Sequence, residues 1–144
     1  MCGVAPYPEG MLEQVGIESL DFLYTPSRDV AADVAEHTAV LGCRLAFAIE
    51  DGGIRVAMVE PTSGPPAILL TNHLDGERPI LVYRVTDLPL AVAELARRGW
   101  TPERSLEIPP GPCASFRSST GHRFALYELV RPGVMDHFTG RRDF

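Results

Sequence analysis

Cysteines, long apolar runs and clustered basic residues are all scarce in this sequence. Its three cysteines, Cys2, Cys43 and Cys113, form no Cys-x-x-Cys pair, so we expect reduced thiols rather than disulfides or a structural zinc site. No segment approaches the roughly 18 consecutive apolar residues that a membrane span requires. The N-terminus also shows no basic region followed by an apolar stretch. These absences predict a cytoplasmic protein that does not associate with a membrane.

The charge pattern argues against nucleic acid as a partner. The 13 Lys and Arg residues are scattered among 19 Asp and Glu residues, and the formal net charge is −6. Nucleic-acid binding needs basic side chains gathered on one surface, so we expect no nucleic-acid partner. The length of 144 residues suits a single globular domain, which we place at residues 17–130. An N-terminal arm at residues 1–16 precedes it and a C-terminal tail at residues 131–144 follows it.

A strand followed by an amphipathic helix is the clearest local pattern, and it occupies residues 80–99. Residues 80–85 alternate as the two faces of a strand do, and Asp87 is suited to cap a helix N-terminus. Apolar residues then recur at helical spacing over residues 88–95. Gly99 supplies the left-handed stop that ends many helices. The segment therefore predicts one strand and one helix packed against a sheet.

The same order of elements occurs twice in the chain. Each copy predicts a strand, a helix and then three further strands. Asp29 and Asp87, which begin the two helices, are 87 − 29 = 58 positions apart. Two copies are too few for a solenoid, which needs about three repeats. The sequence therefore predicts an α+β fold of two tandem βαβββ modules at residues 17–71 and 79–130.

Four segments of the repeat carry a resemblance to a known superfamily. They are Arg28-Asp29-Val30, Val40-Leu41-Gly42, Tyr83-Arg84-Val85-Thr86-Asp87-Leu88 and Ser119-Thr120-Gly121-His122-Arg123-Phe124-Ala125-Leu126-Tyr127-Glu128. Their order and spacing resemble the vicinal oxygen chelate superfamily, which contains glyoxalase I, extradiol dioxygenases, fosfomycin resistance enzymes and bleomycin resistance proteins. The resemblance implies that the two modules curl into an open barrel around a cavity. It also implies a homodimer, which is common in the superfamily.

The resemblance further implies a divalent metal held by four strand positions that face the cavity. In this sequence those positions are Phe22, Leu69, Ile80 and Ala125. None of these side chains can donate an electron pair to a metal, and among the neighbouring residues only Asp21 offers an oxygen. We therefore expect no metal and no cofactor on a scaffold that is otherwise intact.

Strand alternation places five more residues on the same face as these four, and together the nine form the predicted ligand site. The five are Tyr24, Val82, Arg84, Arg123 and Tyr127. The tyrosines offer flat apolar area with a hydroxyl group. The arginines could grip a carboxylate or stack on an aromatic ring, or instead pair with Glu60, Glu107 or Glu128.

Three functions compete on these residues. The leading hypothesis is metal-independent binding, including sequestration, of a small aromatic or amphipathic organic molecule, similar to bleomycin-type resistance proteins. The first alternative is an enzyme, either a lyase, isomerase or dioxygenase with relocated metal ligands or a metal-free acid–base catalyst using Tyr24, Tyr127 or Glu60. The second is a dimerising interaction module whose barrel is packed solid. Phe138 and Phe144 predict that the tail docks over the cavity or at a dimer interface.

Overall fold

The computed structural model describes residues 15–144, so the predicted arm at residues 1–16 lies outside the described part apart from its last two residues. From residue 17 onward the chain forms eight strands, two α-helices, a C-terminal 3-10 helix and a short π-helix (Glu36–Val40) that continues the first α-helix. In chain order they are β1 (Ile17–Pro26), α1 (Val30–Ala35), β2 (Arg44–Asp51), β3 (Ile54–Glu60), β4 (Ala67–Thr71), β5 (Ile80–Val85), α2 (Leu88–Arg97), β6 (Arg104–Ile108), β7 (Gly111–Arg117), β8 (Arg123–Glu128) and the 3-10 helix (Val134–Phe138).

The eight strands form a single sheet in the order β2-β3-β4-β1-β5-β8-β7-β6. The first strands of the two modules, β1 and β5, lie antiparallel at its centre. Each of them also pairs in parallel with the last strand of its own module, β1 with β4 and β5 with β8. The sheet curls without closing. The predicted α+β fold of two tandem βαβββ modules forming an open barrel is thus confirmed.

The two helices begin where the sequence predicts. The Asp29 carboxylate accepts from the backbone N–H of Ala32 at 3.0 Å and caps α1, and the Asp87 carboxylate accepts from the N–H of Leu90 at 3.0 Å and caps α2. A second carboxylate, that of Glu128, accepts from the N–H of Leu88 at 2.7 Å. This contact ties the start of α2 to the end of β8.

The first helix is less regular than its sequence suggests. Apolar spacing from Val30 to Leu41, closed by Gly42, predicts one α-helix over residues 29–41. Beyond Ala35, however, the chain continues as a π-helix over Glu36–Val40. Two side chains compete for carbonyl groups here. The Thr38 hydroxyl donates to the carbonyl of Val34 at 2.8 Å, and His37 Nδ1 lies 2.7 Å from the carbonyl of Asp33. Side-chain bonds to carbonyls four residues earlier disturb the backbone ladder, which explains the change of pitch.

The helices cover one face of the sheet, called here the convex face, and each seals its own apolar cluster. Under α1 the buried members are Val30, Val34, Ala48, Ala57, Val59 and Leu70. Under α2 they are Val85, Leu88, Ala91, Ala114, Phe116 and Leu126. The opposite face, called here the concave face, carries two further clusters described below. None of the helices in the described residues is long and apolar enough to cross a membrane.

The C-terminal tail crosses the concave face and then follows the outer edge of β2. Met135 and Phe138, on the 3-10 helix, pack on the concave side of the first module, where the ring of Phe138 lies 5.5 Å from that of Phe47. The backbone after them bonds to β2: the Ala48 N–H donates to the carbonyl of Arg141 at 2.9 Å, and the Asp143 N–H donates to the carbonyl of Ala48 at 2.7 Å. The tail therefore docks on its own sheet.

Candidate functional site

The concave face brings together most of the predicted ligand residues. Strand pairing aligns Phe22 with Val82 and Val82 with Ala125. Tyr24 aligns with Leu69 on one side and with Ile80 on the other, and Arg84 aligns with Tyr127. Aligned residues in neighbouring strands share a face of the sheet. Apolar members of this set form the concave clusters around Val82, Ala125 and Tyr127 in the second module and around Phe47 and Met58 in the first.

The residues at the four metal positions do not fit a metal ion. Phe22, Leu69, Ile80 and Ala125 present only carbon atoms to the concave face, and a divalent cation needs nitrogen, oxygen or sulfur donors. Within residues 15–144 no three His, Cys, Asp or Glu side chains are gathered closely enough to hold a metal. The metal that the fold family implies therefore has no donor set at these positions.

An open cleft of about 250 Å³ lies at the mouth of the concave face, between β1 and the end of β3. Its apolar lining comes from Phe22, Met58, Ala67 and Pro65, and its rim from Ser63 and Gly64 in the β3–β4 loop. Two carboxylates, Asp21 and Glu60, complete the wall. Apolar walls with a few placed polar groups are typical of small-molecule sites.

Asp21 reaches the concave face through an irregularity in β1. Leu20 pairs with Tyr83 and Phe22 pairs with Val82, so Asp21 is an extra residue opposite the junction of the two partners. Such a β-bulge redirects a side chain that strict alternation would place on the other face. The Asp21 carboxylate then accepts from the Ser19 hydroxyl at 2.5 Å and from the Tyr127 hydroxyl. These two donors hold the carboxylate in the cleft wall.

Tyr127 is almost fully buried, at 2% exposure, and is bonded to Asp21 through its hydroxyl. Burial raises the pKa of its phenol, and the hydrogen bond to the Asp21 carboxylate raises that pKa further. The phenol therefore stays protonated and serves as a donor to Asp21 across the ordinary pH range.

Replacing Tyr127 by phenylalanine should flatten the alkaline stability profile. Above a pH of about 10 the unfolded chain loses the Tyr127 proton while the folded chain keeps it, so wild-type stability falls as pH rises from there towards the folded pKa. We expect urea midpoints between about pH 9.5 and 11 to fall more steeply for wild type than for the variant. The pKa values of Tyr24 and Cys113 are also raised by burial, but both residues remain in the variant and act as the control. Equal slopes would contradict the Tyr127 assignment.

The two predicted arginines have different surroundings. Arg84 Nε lies 3.0 Å from a Glu18 carboxylate oxygen and 3.8 Å from Asp21, without the alignment of a hydrogen bond. Arg123 donates to the backbone carbonyls of Asp75 and Arg78 and thereby clamps the β4–β5 loop. The suggested pairing of these arginines with Glu60, Glu107 or Glu128 is wrong. Those acids contact Arg44, Arg131 and the backbone N–H of Leu88 respectively.

The Tyr24 side chain extends towards the loop that follows β4. Its hydroxyl lies 2.8 Å from His73 Nε2, and His73 Nδ1 lies 2.5 Å from the hydroxyl of the buried Thr71. This chain of polar contacts fixes the end of the Tyr24 side chain outside the cleft. Of the nine predicted ligand residues, only Phe22 lines the cleft directly.

Three features of the site escaped the sequence reasoning. Asp21 was noticed only as a lone oxygen, because a bulge leaves no mark on an alternating pattern. Residues 63–65 belong to a turn whose position over β1 depends on sheet curvature. Phe138 and Phe144 predict that the tail docks over the cavity or at a dimer interface, but they do not predict that Met135 packs beside Phe138 or that Phe144 packs under α1 instead.

Comparisons with known proteins support the fold. No protein-family model matches the sequence, and a search of curated proteins gave no match. Among solved structures, methylmalonyl-CoA epimerase from Mycobacterium tuberculosis superposes with a TM-score of 0.66 at 19% identity, covering 79% of this chain and 89% of that one. The S115T variant of the Streptomyces coelicolor epimerase, in complex with 2-nitronate-propionyl-CoA, gives 0.65 at 16% identity, covering 81% and 97%.

A hypothetical protein from Bacillus halodurans matches equally well, with a TM-score of 0.65 at 16% identity over 76% of this chain and 93% of that one. Identities this low establish shape and not activity. The sheet and these matches together show the fold: two βαβββ modules in one curled, open sheet, consistent with the vicinal oxygen chelate fold. At the four positions where the sequence resemblance implies metal ligands, the chain carries hydrocarbon side chains.

Proposed function

We propose that this protein binds a small amphipathic or aromatic organic molecule in the cleft without the help of a metal ion. The observation that carries the proposal is the replacement of all four metal positions by Phe22, Leu69, Ile80 and Ala125. Of these four residues, Phe22 lines the cleft, where its ring favours an apolar neighbour over water by about 1.5–3 kcal/mol when fully covered. A methylmalonyl-CoA epimerase of similar fold is known in complex with methylmalonyl-CoA, which supports small-molecule recognition on this scaffold.

The shape of the cleft limits the ligand. A volume of about 250 Å³ is close to the lower end of ligand pockets, which begin at about 300 Å³. The ligand should place a flat or branched apolar body on Phe22 and Met58 and a hydrogen-bond donor towards Asp21 or Glu60. A homodimer and a cytoplasmic location stay predictions beside this proposal.

Filling the cleft should abolish binding. We expect indole, a small aromatic probe with one N–H donor, to bind to wild type in calorimetry, and Ala67→Trp to weaken that binding at least tenfold because the new ring occupies the cleft. Ala32→Trp, on the exposed side of α1, is the matched control and should bind as wild type does. Elemental analysis of the same preparation should find no stoichiometric metal. One tightly held zinc, nickel, manganese or iron per chain, or equal binding by both variants, would reject the proposal.

A metal-free acid–base enzyme is the second candidate, because two carboxylates line one cleft. Asp21 and Glu60 face the same space, and a base on each side of a carbon atom is an arrangement suited to proton transfer. The test is exchange of the α-proton of methylmalonyl-CoA in D2O, followed by mass spectrometry. Deuterium incorporation that is lost in both Asp21→Asn and Glu60→Gln would favour the enzyme, while binding without exchange would favour the first proposal.

A further inference from the structure

We propose that Phe138 and Met135 of the C-terminal tail set the size of ligand that the cleft accepts, by occupying the inner part of the concave face themselves. This inference rests on the proposed function, since it concerns the extent of the same site. It identifies the tail as a specificity element that belongs to the chain's own binding surface.

The first step is that the tail and the cleft share walls. Phe22, Met58 and Ala67 line the cleft, and the same three residues belong to the concave cluster on which Met135 and Phe138 pack. The tail side chains and a ligand in the cleft would therefore contact opposite ends of one continuous apolar surface.

The second step is that Phe138 and Met135 contact the concave face in the way that an apolar ligand would. The ring of Phe138 lies 5.5 Å from that of Phe47, with an interplanar angle of 50°, which is a favourable aromatic contact. Phe138 and Met135 are only partly buried, and they lie on a five-residue 3-10 helix with no side-chain cap. Their position depends on this packing and on the backbone contacts farther along the tail.

The third step is that the anchor of the tail is separate from its concave side chains. After the 3-10 helix, the backbone bonds to the edge of β2 at Ala46 and Ala48. Phe144 then packs on the convex side, against the cluster beneath α1, where the Arg55 guanidinium lies 4.3 Å above its ring. The tail can therefore lose the Phe138 ring while its anchor stays in place.

The experiment compares two phenylalanines of one tail on opposite faces of the sheet. The probes are indole and 4-phenylphenol, whose second ring can occupy the space that the Phe138 ring leaves. We expect Phe138→Ala to shift the ratio of the two dissociation constants by at least tenfold in favour of 4-phenylphenol. Phe144→Ala weakens the same tail without opening the concave face, so its ratio should match wild type.

The outcomes separate this inference from the proposed function. An unchanged ratio in a folded Phe138→Ala, or the same shift in Phe144→Ala, would overturn the inference while indole binding by wild type leaves the proposed function standing. Absence of binding by wild type and both variants would reject the proposed function and with it the inference. If circular dichroism shows that Phe138→Ala does not fold, Phe138→Leu takes its place, and the ratio should then shift in the same direction by at least threefold.

Discussion

Replacing Gly111 by alanine is expected to lower the free energy of unfolding by about 3 kcal/mol or more, the upper part of the range for overpacked interiors. A Cβ atom at this position would lie 2.0 Å from the carbonyl oxygen of Glu128 and 3.1 Å from a methyl group of Val130. The oxygen belongs to the backbone, so it cannot rotate away as a flexible side chain could. Either β7 or the end of β8 must move.

The backbone around Gly111 resists that movement. The N–H groups of Val130 and Arg131 both donate to the carbonyl of Pro110 at 3.0 Å, and these bonds hold the β6–β7 turn against the chain that leaves β8. A shift large enough to admit a methyl group would weaken them. The cost therefore adds lost hydrogen bonds to the steric clash, because a buried backbone group without a partner is itself destabilising.

Urea unfolding of Gly111→Ala beside Gly64→Ala measures this effect. Nothing lies within 4 Å of a Cβ at Gly64, and its backbone is outside the left-handed region, so alanine there should leave stability unchanged or raise it by up to about 1 kcal/mol. Both variants remove the same freedom from the unfolded chain. A similar midpoint for the two would mean that the close approach of β7 to the end of β8 is incorrect.

The order of elements and the direction in which most side chains face could be predicted from local patterns. Alternation in a strand fixes the face of each residue relative to its neighbours, so one well-placed residue orients a whole strand. The apolar stripe of α2 then decides which face is convex. The resemblance to the superfamily, rather than alternation, implied that Phe22, Ile80 and Ala125 face the cavity, and strand pairing places them together on the concave face.

The composition of the cleft could not be predicted, because it depends on interruptions of those patterns. The bulge at Asp21 turns a carboxylate to the concave face where alternation places it on the convex one. The hydrogen-bond partner of an arginine depends on which acceptor is nearest in space. Arg123 donates to carbonyl groups of the β4–β5 loop, and the sequence of that loop has no periodicity. Long-range contacts of this kind leave no spacing signal in a single sequence.

Docking of the tail shows the same difference between what local patterns predict and what long-range contacts decide. Phe138 and Phe144 are six positions apart, a spacing that would put both on one face of an extended strand. The structure sends them to opposite faces because a 3-10 helix ends at Phe138 and the chain then passes around the edge of β2. The apolar residues predicted that the tail packs, while the path around the edge depends on the sheet.

Removing the whole tail after Val130 is expected to cost about 4 kcal/mol of stability, since three half-buried apolar side chains each contribute about half of the 1.5–3 kcal/mol of a fully buried one and the backbone bonds add the rest. The deletion also exposes the outer edge of β2, whose N–H and C=O groups at Ala48 now bond to the tail. An unpaired edge strand is a template for pairing with another chain. The shortened protein should therefore self-associate in light scattering at concentrations where the full chain does not.

A second deletion, after Phe138, separates the contribution of Met135 and Phe138 from that of the chain that follows them. It removes the backbone contacts to Ala48 and the packing of Phe144 but keeps Met135 and Phe138 in the chain. Because the β2 edge is exposed in both shortened proteins, both should self-associate. The protein that ends at Val130 should be clearly less stable than the one that ends at Phe138. It should also bind more of a hydrophobic dye, because Phe47 is uncovered. Equal stability of the two would show that the concave side chains contribute nothing, and full stability of both would show that the tail does not dock on its own sheet in solution.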